Sequence, residues 1–123
     1  MNRVVHFEFS SPDPTVSSEF FQEVFGWSIN KWGEGAEDYW LVSTGPKEEL
    51  GIDGGLMRHH DGQPRTVNTI QVANVDDTLA KVVEKGGQVA LPKMPIKGVG
   101  YLAYCLDPRG VLFGIMHADL SAA

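Results

Sequence analysis

The chain has 123 residues, of which 42% are apolar and 21% charged, a balance typical of one globular domain with a buried core. Its formal net charge of -6 argues against nucleic acid as a partner, because nucleic-acid sites are basic. A single cysteine excludes an internal disulfide, and we find neither a signal-peptide core nor the ~18 apolar residues that cross a bilayer, so we expect a cytoplasmic protein without membrane contact.

The first half of the chain predicts a strand, a helix and three further strands. Residues 4–9 alternate apolar and polar side chains, with His6 and Glu8 on the same side, as in a half-buried strand. Asp13 followed by proline is typical of a helix start, and Gly26 of a helix end. The three further strands are predicted at residues 28–32, 39–44 and 54–58.

The second half repeats this order. A strand is predicted at residues 69–73 and a helix at 75–85, followed by strands at 88–91, 101–106 and 111–116. His6-Phe7-Glu8-Phe9 can be laid over Thr69-Ile70-Gln71-Val72, and Gly55-Leu56-Met57 over Gly114-Ile115-Met116. The chain is therefore predicted to be one domain, 1–123, with repeat one at 3–58, a linker at 59–66 and repeat two at 67–117.

This arrangement resembles the vicinal oxygen chelate superfamily, which includes glyoxalase I, bleomycin-resistance proteins and extradiol dioxygenases. The segments that carry the resemblance are FFQEVFGW, VANVDDTLAKVVEKGGQV and the closing DPRGVLFGIM. PKMPIKGVGYLAYC is similar to a glyoxalase-like bacterial branch whose reactions are mostly unassigned. The resemblance implies an α+β fold, with two βαβββ repeats in a cupped eight-stranded mixed sheet and helices on its convex face. It also implies a small-molecule ligand in the cup and a homodimer.

Members of this superfamily that use a metal take its ligands from the first and last strand of each repeat. The resemblance places those positions at His6, Gly55, Thr69 and Gly114. Glycine has no side-chain donor and a threonine hydroxyl is a poor ligand, whereas a catalytic zinc site needs about three protein ligands. We therefore expect no metal at the usual site, with His6 as the only ligand if a divalent metal does bind.

The pair His6 and Glu8 is the best candidate for catalysis. Residues i and i+2 of a strand point to the same side, about 7 Å apart. A histidine beside a carboxylate is a workable general acid–base. The alternative is that the two side chains are only polar lining of a wet pocket.

Met57 and Met116 share the inward parity of Gly55 and Gly114, so we expect both to reach the pocket. Aromatic residues on the strands are candidates for its walls, with ordinary core packing as the alternative for each. The expected pocket residues are Gly55, Met57, Thr69, Gln71, Gly114, Met116, Trp40 and Tyr101. Trp32, Tyr39 and Tyr104 are further aromatic candidates, and residues 95–100 resemble a flexible loop at the pocket mouth. Adjacent His59, His60 and Asp61 are more typical of a solvated turn than of a metal site.

Three functions remain open from the sequence. The first is an isomerase-like or lyase-like enzyme that acts on a small molecule without metal at the usual site. The second is a bleomycin-resistance-like protein that sequesters an aromatic compound. The third is a metal-dependent lyase or dioxygenase.

Overall fold

The computed structural model describes residues 1–33, 38–59 and 65–123. The chain divides into two compact units, each described by itself. The first unit is His6–Val67, and the second unit combines Met1–Val5 with Asn68–Ala123. Most of the predicted linker, together with His60 and Asp61, lies outside the described residues.

The first unit contains one helix and four strands, with the bounds β1 Arg3–Ser11, α1 Pro14–Phe25, β2 Ser28–Lys31, β3 Tyr39–Ser43 and β4 Asp53–Arg58. The strands lie in the spatial order β2-β3-β4-β1. β1 and β4 are parallel, and the other neighbouring pairs are antiparallel. β1 begins in the segment that belongs to the second unit and continues through the first.

The ends of α1 follow the residue types that predicted them. The Asp13 carboxylate accepts a hydrogen bond from the backbone N–H of Val16 at 3.3 Å, and proline stands at the first turn, where its missing N–H costs nothing. Gly26 ends the helix with φ +73°, a left-handed conformation that glycine adopts without strain. The predicted helix is confirmed, and Phe21 of α1 packs against the buried core of Ile29, Val42 and Leu56.

The second unit has the same plan, with strands in the order β5-β8-β7-β6. β5 and β8 are parallel, and β8, β7 and β6 pair antiparallel. The element bounds are β5 Thr66–Gln71, α2 Val75–Glu84, β6 Gln88–Ile96, β7 Gly100–Leu106 and β8 Leu112–Ala118. The predicted α+β class is confirmed, since the described residues form eight strands of mixed pairing and two helices in a repeated order.

α2 contacts its sheet through a hydrogen bond at its first turn and through its buried side chains. The Asn74 side chain accepts from the N–H of Asp77 at 3.0 Å, and His117 Nδ1 accepts from the N–H of Val75 at 2.8 Å. Val75 itself is fully buried with Cys105 and Ile115. His117 therefore holds the first turn of α2.

β6 differs most from the sequence prediction. The strand extends to Ile96 instead of ending at Leu91, so Pro95 pairs with Tyr101 and the predicted mouth loop is reduced to a short turn. Proline has no N–H to give to a ladder and is tolerated at an edge or a bulge. β6 lies at the edge of the sheet, next to β7 only, and its pairing register with β7 shifts twice between Val89 and Met94. These two features allow a proline-containing segment to remain a strand.

Candidate functional site

The two faces of the first unit have different chemistry, because successive strand residues point to opposite sides. Phe7, Leu56 and Trp40 pack together on the side that carries α1. His6, Glu8 and Gly55 alternate with them and belong to the other side, which we call the open face. Trp40, a predicted pocket residue, therefore lies on the face opposite to His6, with its ring 5.5 Å from Lys31 Nζ.

A cavity of about 350 Å³ lies in the first unit, with His6 in its wall. Hydroxyl and amide groups of Ser28, Asn30 and Ser43 give it hydrogen-bonding capacity, and Asp53 gives it a negative charge. The Asp53 carboxylate is held by the backbone N–H of Thr44 at 2.8 Å. The described lining residues are His6, Ser28, Asn30, Leu41, Val42, Ser43, Asp53 and Gly54.

His6 is placed to act as a neutral base. Burial lowers the pKa of its imidazole below the ordinary 6.5, and the nearby carboxylates of Glu8 and Asp53 oppose that shift without reversing it. The imidazole is therefore uncharged at neutral pH and has a lone pair to accept a proton. Its Nε2 lies 3.3 Å from the hydroxyl oxygen of Tyr39.

Tyr39 connects His6 to Glu8. Burial raises the pKa of the Tyr39 phenol, and the charge of Glu8 and a hydrogen bond to that carboxylate raise it further. The phenol is thus protonated at neutral pH and donates to Glu8, which is 6% exposed. Its oxygen keeps lone pairs for a second hydrogen bond, and it lies within hydrogen-bond distance of His6 Nε2.

The Tyr39 ring lies over Gly55. A Cβ atom at Gly55 would stand 3.0 Å from Tyr39 Cε1 and closer still to Cζ and the hydroxyl oxygen. The glycine thus leaves room for the phenol. Sequence reasoning considered Tyr39 only as one of several aromatic wall residues, and it gave no signal that the ring would cover this glycine.

The predicted pocket residues of the second unit are brought together on neighbouring strands. Thr69 pairs with Gly114, and Gln71 pairs with Met116. Tyr101 instead lies with the core that packs against α2, with its ring centre 5.4 Å from that of His117. Met57 of the first unit, the remaining predicted residue, pairs with Tyr39.

The donor set does not fit the metal that the superfamily resemblance implies. Gly55 and Gly114 offer no side-chain donor at two of the four positions, and the phenol of Tyr39 fills the space above Gly55. Among residues 1–33, 38–59 and 65–123, no group of three His, Cys, Asp or Glu could hold a metal ion. His6 is the only strong ligand at the four positions.

Two further features bear on the type of protein. No helix in the described part of the chain is long and apolar enough to span a membrane.

The Cys105 side chain is fully buried, and burial raises the pKa of its thiol. Since the thiolate is the reactive form, Cys105 is a poor nucleophile.

Comparison with known proteins gives a consistent result. The family model described as Glyoxalase/Bleomycin resistance protein/Dioxygenase superfamily matches residues 3–115. The chain is 28% identical over 115 residues to CFP32 of Mycobacterium tuberculosis, whose name assigns it provisionally to the glyoxylases, covering 91% of this chain and 44% of that protein. It is 29% identical over 126 residues to the anthracycline biosynthesis protein DnrV of Streptomyces peucetius, covering 89% and 44%. The chain thus spans less than half the length of these relatives.

Solved structures share the fold at lower identity. A Streptomyces coelicolor methylmalonyl-CoA epimerase variant in complex with 2-nitronate-propionyl-CoA has a TM-score of 0.70 and 17% identity, covering 100% of this chain and 99% of that one. The Mn(II)-bound glyoxalase from Novosphingobium aromaticivorans has a TM-score of 0.69 and 22% identity, covering 100% and 42%. At these identities the likeness concerns the fold alone.

Proposed function

Since the chain belongs to the Glyoxalase/Bleomycin resistance protein/Dioxygenase superfamily, we propose that it is an isomerase-like or lyase-like enzyme that moves a proton on a small carbonyl compound. His6 is the general base, and no metal at the usual positions takes part. The observation that carries the proposal is the connected set of His6, Tyr39 and Glu8, of which His6 lies in the wall of a cavity large enough for a small molecule.

The proposed step is the removal of a proton from the carbon next to the carbonyl. The C–H bond breaks, the proton moves to His6 Nδ1, and the electron pair passes to the carbonyl oxygen as an enolate. The imidazolium is stabilised by the nearby carboxylates of Glu8 and Asp53. Return of the proton to carbon completes an isomerisation, whereas departure of a leaving group completes an elimination. A positioned base of this kind contributes about 10²–10⁴-fold to rate.

The lining of the cavity favours an uncharged substrate. Ser28, Asn30 and Ser43 offer donors for the enolate oxygen, and Asp53 is the only acidic side chain among the described lining residues. An anionic substrate would meet a like charge at the wall of the cavity, and like charges repel. We therefore propose a neutral aldehyde or ketone as the substrate class.

Exchange of substrate hydrogen for solvent deuterium tests this function even while the product is unidentified. The probes are a panel of neutral ketones, hydroxyketones and aldehydes, together with anionic methylmalonyl-CoA, the ligand bound in one structural neighbour. NMR detects loss of the proton next to the carbonyl. We expect exchange with a neutral probe and a rate about 10²–10⁴-fold lower in His6→Gln, but no loss in the exposed control Arg109→Gln. Absence of exchange with every probe would overturn the proposal.

The alternative is a binding protein that sequesters an aromatic compound. It is favoured by the name of DnrV, which refers to anthracycline biosynthesis, a chemistry of planar aromatic rings. Fluorescence titration with a planar quinone measures this directly, because three tryptophans are present in the chain. Tight binding without turnover, weakened by His6→Gln, would favour the binder over the enzyme.

The second alternative, a metal-dependent lyase or dioxygenase, is favoured by the Mn(II)-bound glyoxalase among the structural neighbours. The donor set at His6, Gly55, Thr69 and Gly114 does not support it. Metal analysis of protein purified without chelator separates the two cases, since our proposal predicts less than one equivalent of bound metal. One tightly held equivalent of a divalent metal would favour this alternative.

We also propose that the chain acts as a cytoplasmic homodimer. The curated relatives are long enough to hold a second domain of this size, and α1 exposes the apolar side chains of Val16, Phe20, Val24 and Phe25. Such a patch is typical of a protein interface. Sedimentation velocity should give a dimer, and Phe20→Glu should shift it toward the monomer.

A further inference from the structure

We propose that Tyr39 is the positioning residue of this site, and that it fixes His6 as the tautomer with a bare Nδ1. The inference deepens the proposed function, on which its catalytic meaning rests. The tautomer itself is a property of the free protein, and it is measurable whether or not a substrate is found.

The Tyr39 side chain takes a path that crosses one strand of the sheet. Tyr39 lies on β3 and its contacts lie on β1, with β4 between them. Neighbouring strands are about 4.8 Å apart, so the phenol has to cross the open face of β4 to reach His6. It does so at Gly55, the residue of β4 that pairs with Glu8.

This path requires a glycine at position 55. A methyl group at that position would overlap the phenol, and overlap of this kind is relieved only by moving one of the two groups. The φ angle of Gly55 is not in the left-handed region. An alanine is therefore compatible with the backbone of β4, and its only cost is the displacement of Tyr39.

The hydrogen bonds of the Tyr39 hydroxyl determine which nitrogen of His6 carries the proton. Tyr39 has one O–H, and the Glu8 carboxylate accepts it. The phenol oxygen is then an acceptor only, so His6 meets it as a donor through Nε2–H at 3.3 Å. In histidine, the hydrogen bond made by one ring nitrogen decides which nitrogen carries the proton. Tyr39 thereby leaves Nδ1 bare for the substrate.

The test is the ¹⁵N spectrum of the imidazole rings at a pH above 6.5, where His6 is neutral. The His6 signals are identified by their absence from the spectrum of His6→Gln. We expect one nitrogen of His6 to resonate as N–H and the other as a bare nitrogen. In Tyr39→Phe the ring keeps its size but loses the hydroxyl, so the two signals should move toward each other as the tautomers mix.

Two glycine variants make the test specific. Gly55→Ala should reproduce the effect of Tyr39→Phe, because the added methyl group displaces the phenol, and the double variant should show no further change. Gly45→Ala is the matched control: its φ is also outside the left-handed region, and its nearest neighbour is the flexible end of Glu49 at 3.2 Å. It should leave the His6 signals unchanged.

The outcomes separate the inference from the proposed function. Unchanged His6 signals in Tyr39→Phe would overturn the inference, as would a wild-type spectrum in a folded Gly55→Ala. If Gly55→Ala does not fold, Tyr39→Phe decides alone. Converging signals together with a complete lack of deuterium exchange would support the positioning role of Tyr39 and reject the enzyme.

Discussion

The two repeats place a glycine at the same point and surround it differently. Gly55 lies beneath the phenol of Tyr39, so that no side chain fits there. A Cβ at Gly114 would meet the Thr69 hydroxyl at 3.0 Å and the ring of Tyr104 at 3.5 Å, contacts that are tight or ordinary rather than overlapping. Repetition of the backbone plan has therefore not repeated the side-chain arrangement.

The difference extends to the first strand of each repeat. The first repeat has ionisable His6 and Glu8, whereas the second has neutral Thr69 and Gln71 at the matching positions. The Thr69 hydroxyl is buried, and among the described residues it has no hydrogen-bond partner. The scaffold thus occurs twice and the ionisable His6–Glu8 pair once, which is why we propose the reaction for the first unit.

The largest expected effect is the loss of stability when a core side chain is truncated. It tests whether the cores of the two repeats are equally well packed. Leu56 and Ile115 occupy matching positions and are 0% and 1% exposed. Leu56→Ala and Ile115→Ala should each lower the free energy of unfolding by about 2–5 kcal/mol, because a buried side chain is lost and a cavity remains. Urea denaturation measures both changes. A loss below ~1 kcal/mol in only one of the variants would show that the repeats are not equivalent in packing.

The glycine substitutions sharpen the contrast between the sites. Gly55→Ala should lower the free energy of unfolding by about 1–3 kcal/mol, the usual cost of overpacking, because the Tyr39 phenol has to move. Gly114→Ala should cost less than ~1 kcal/mol, since only the Thr69 hydroxyl has to yield by a few tenths of an ångström. Thermal melting ranks the two variants, and the reverse order would contradict the packing described for Tyr39.

The helix caps provide a smaller comparison. Asp13→Ala and Asn74→Ala each remove a side-chain acceptor from a first helical turn, which should cost about 1 kcal/mol. The Asn74 bond to the Asp77 N–H is 3.0 Å long, against 3.3 Å for the Asp13 bond to the Val16 N–H. Asn74→Ala should therefore have the larger effect in urea denaturation, and equal or reversed effects would contradict this ranking.

The smallest effect is a pH dependence that belongs to the first repeat. The folded-state pKa of His6 lies below 6.5, so the unfolded chain binds more protons as the pH falls below 6.5. Stability from a neutral His6 is complete above pH 6.5 and is lost as the pH falls toward the folded-state pKa. Urea denaturation should show a weaker loss for His6→Gln over this range. Parallel losses in both proteins would contradict the burial of a neutral His6.

Much of the fold could be predicted because its signals are local. The alternation around His6 and Glu8, the cap at Asp13 and the glycine at Gly26 act over a few residues, and their elements form where the sequence indicates. The exception is β6, which continues through Pro92 and Pro95 to Ile96 instead of ending at Leu91. Its tolerance for proline depends on having a neighbour on only one side, which is a property of the sheet and not of the segment.

The site was less accessible from the sequence, because it depends on register. Tyr39 and Trp40 are adjacent and must point to opposite faces, but a slip of one residue exchanges their faces. Pairing of Tyr39 with Met57 puts Tyr39 on the open face and Trp40 in the core. Tyr101, expected in the pocket as an aromatic residue on a strand, packs on the α2 side instead.

The most direct measurement compares a histidine from each repeat under identical conditions. For a carbonyl compound that the wild-type protein exchanges with deuterium, the rate is measured in His6→Gln and in His117→Gln. We predict a loss of about 10²–10⁴-fold in the first variant and a rate within about two-fold of wild type in the second, since His117 only holds the start of α2. Equal losses in the two folded variants, or an unchanged rate in His6→Gln, would contradict the assignment of the chemistry to the first repeat.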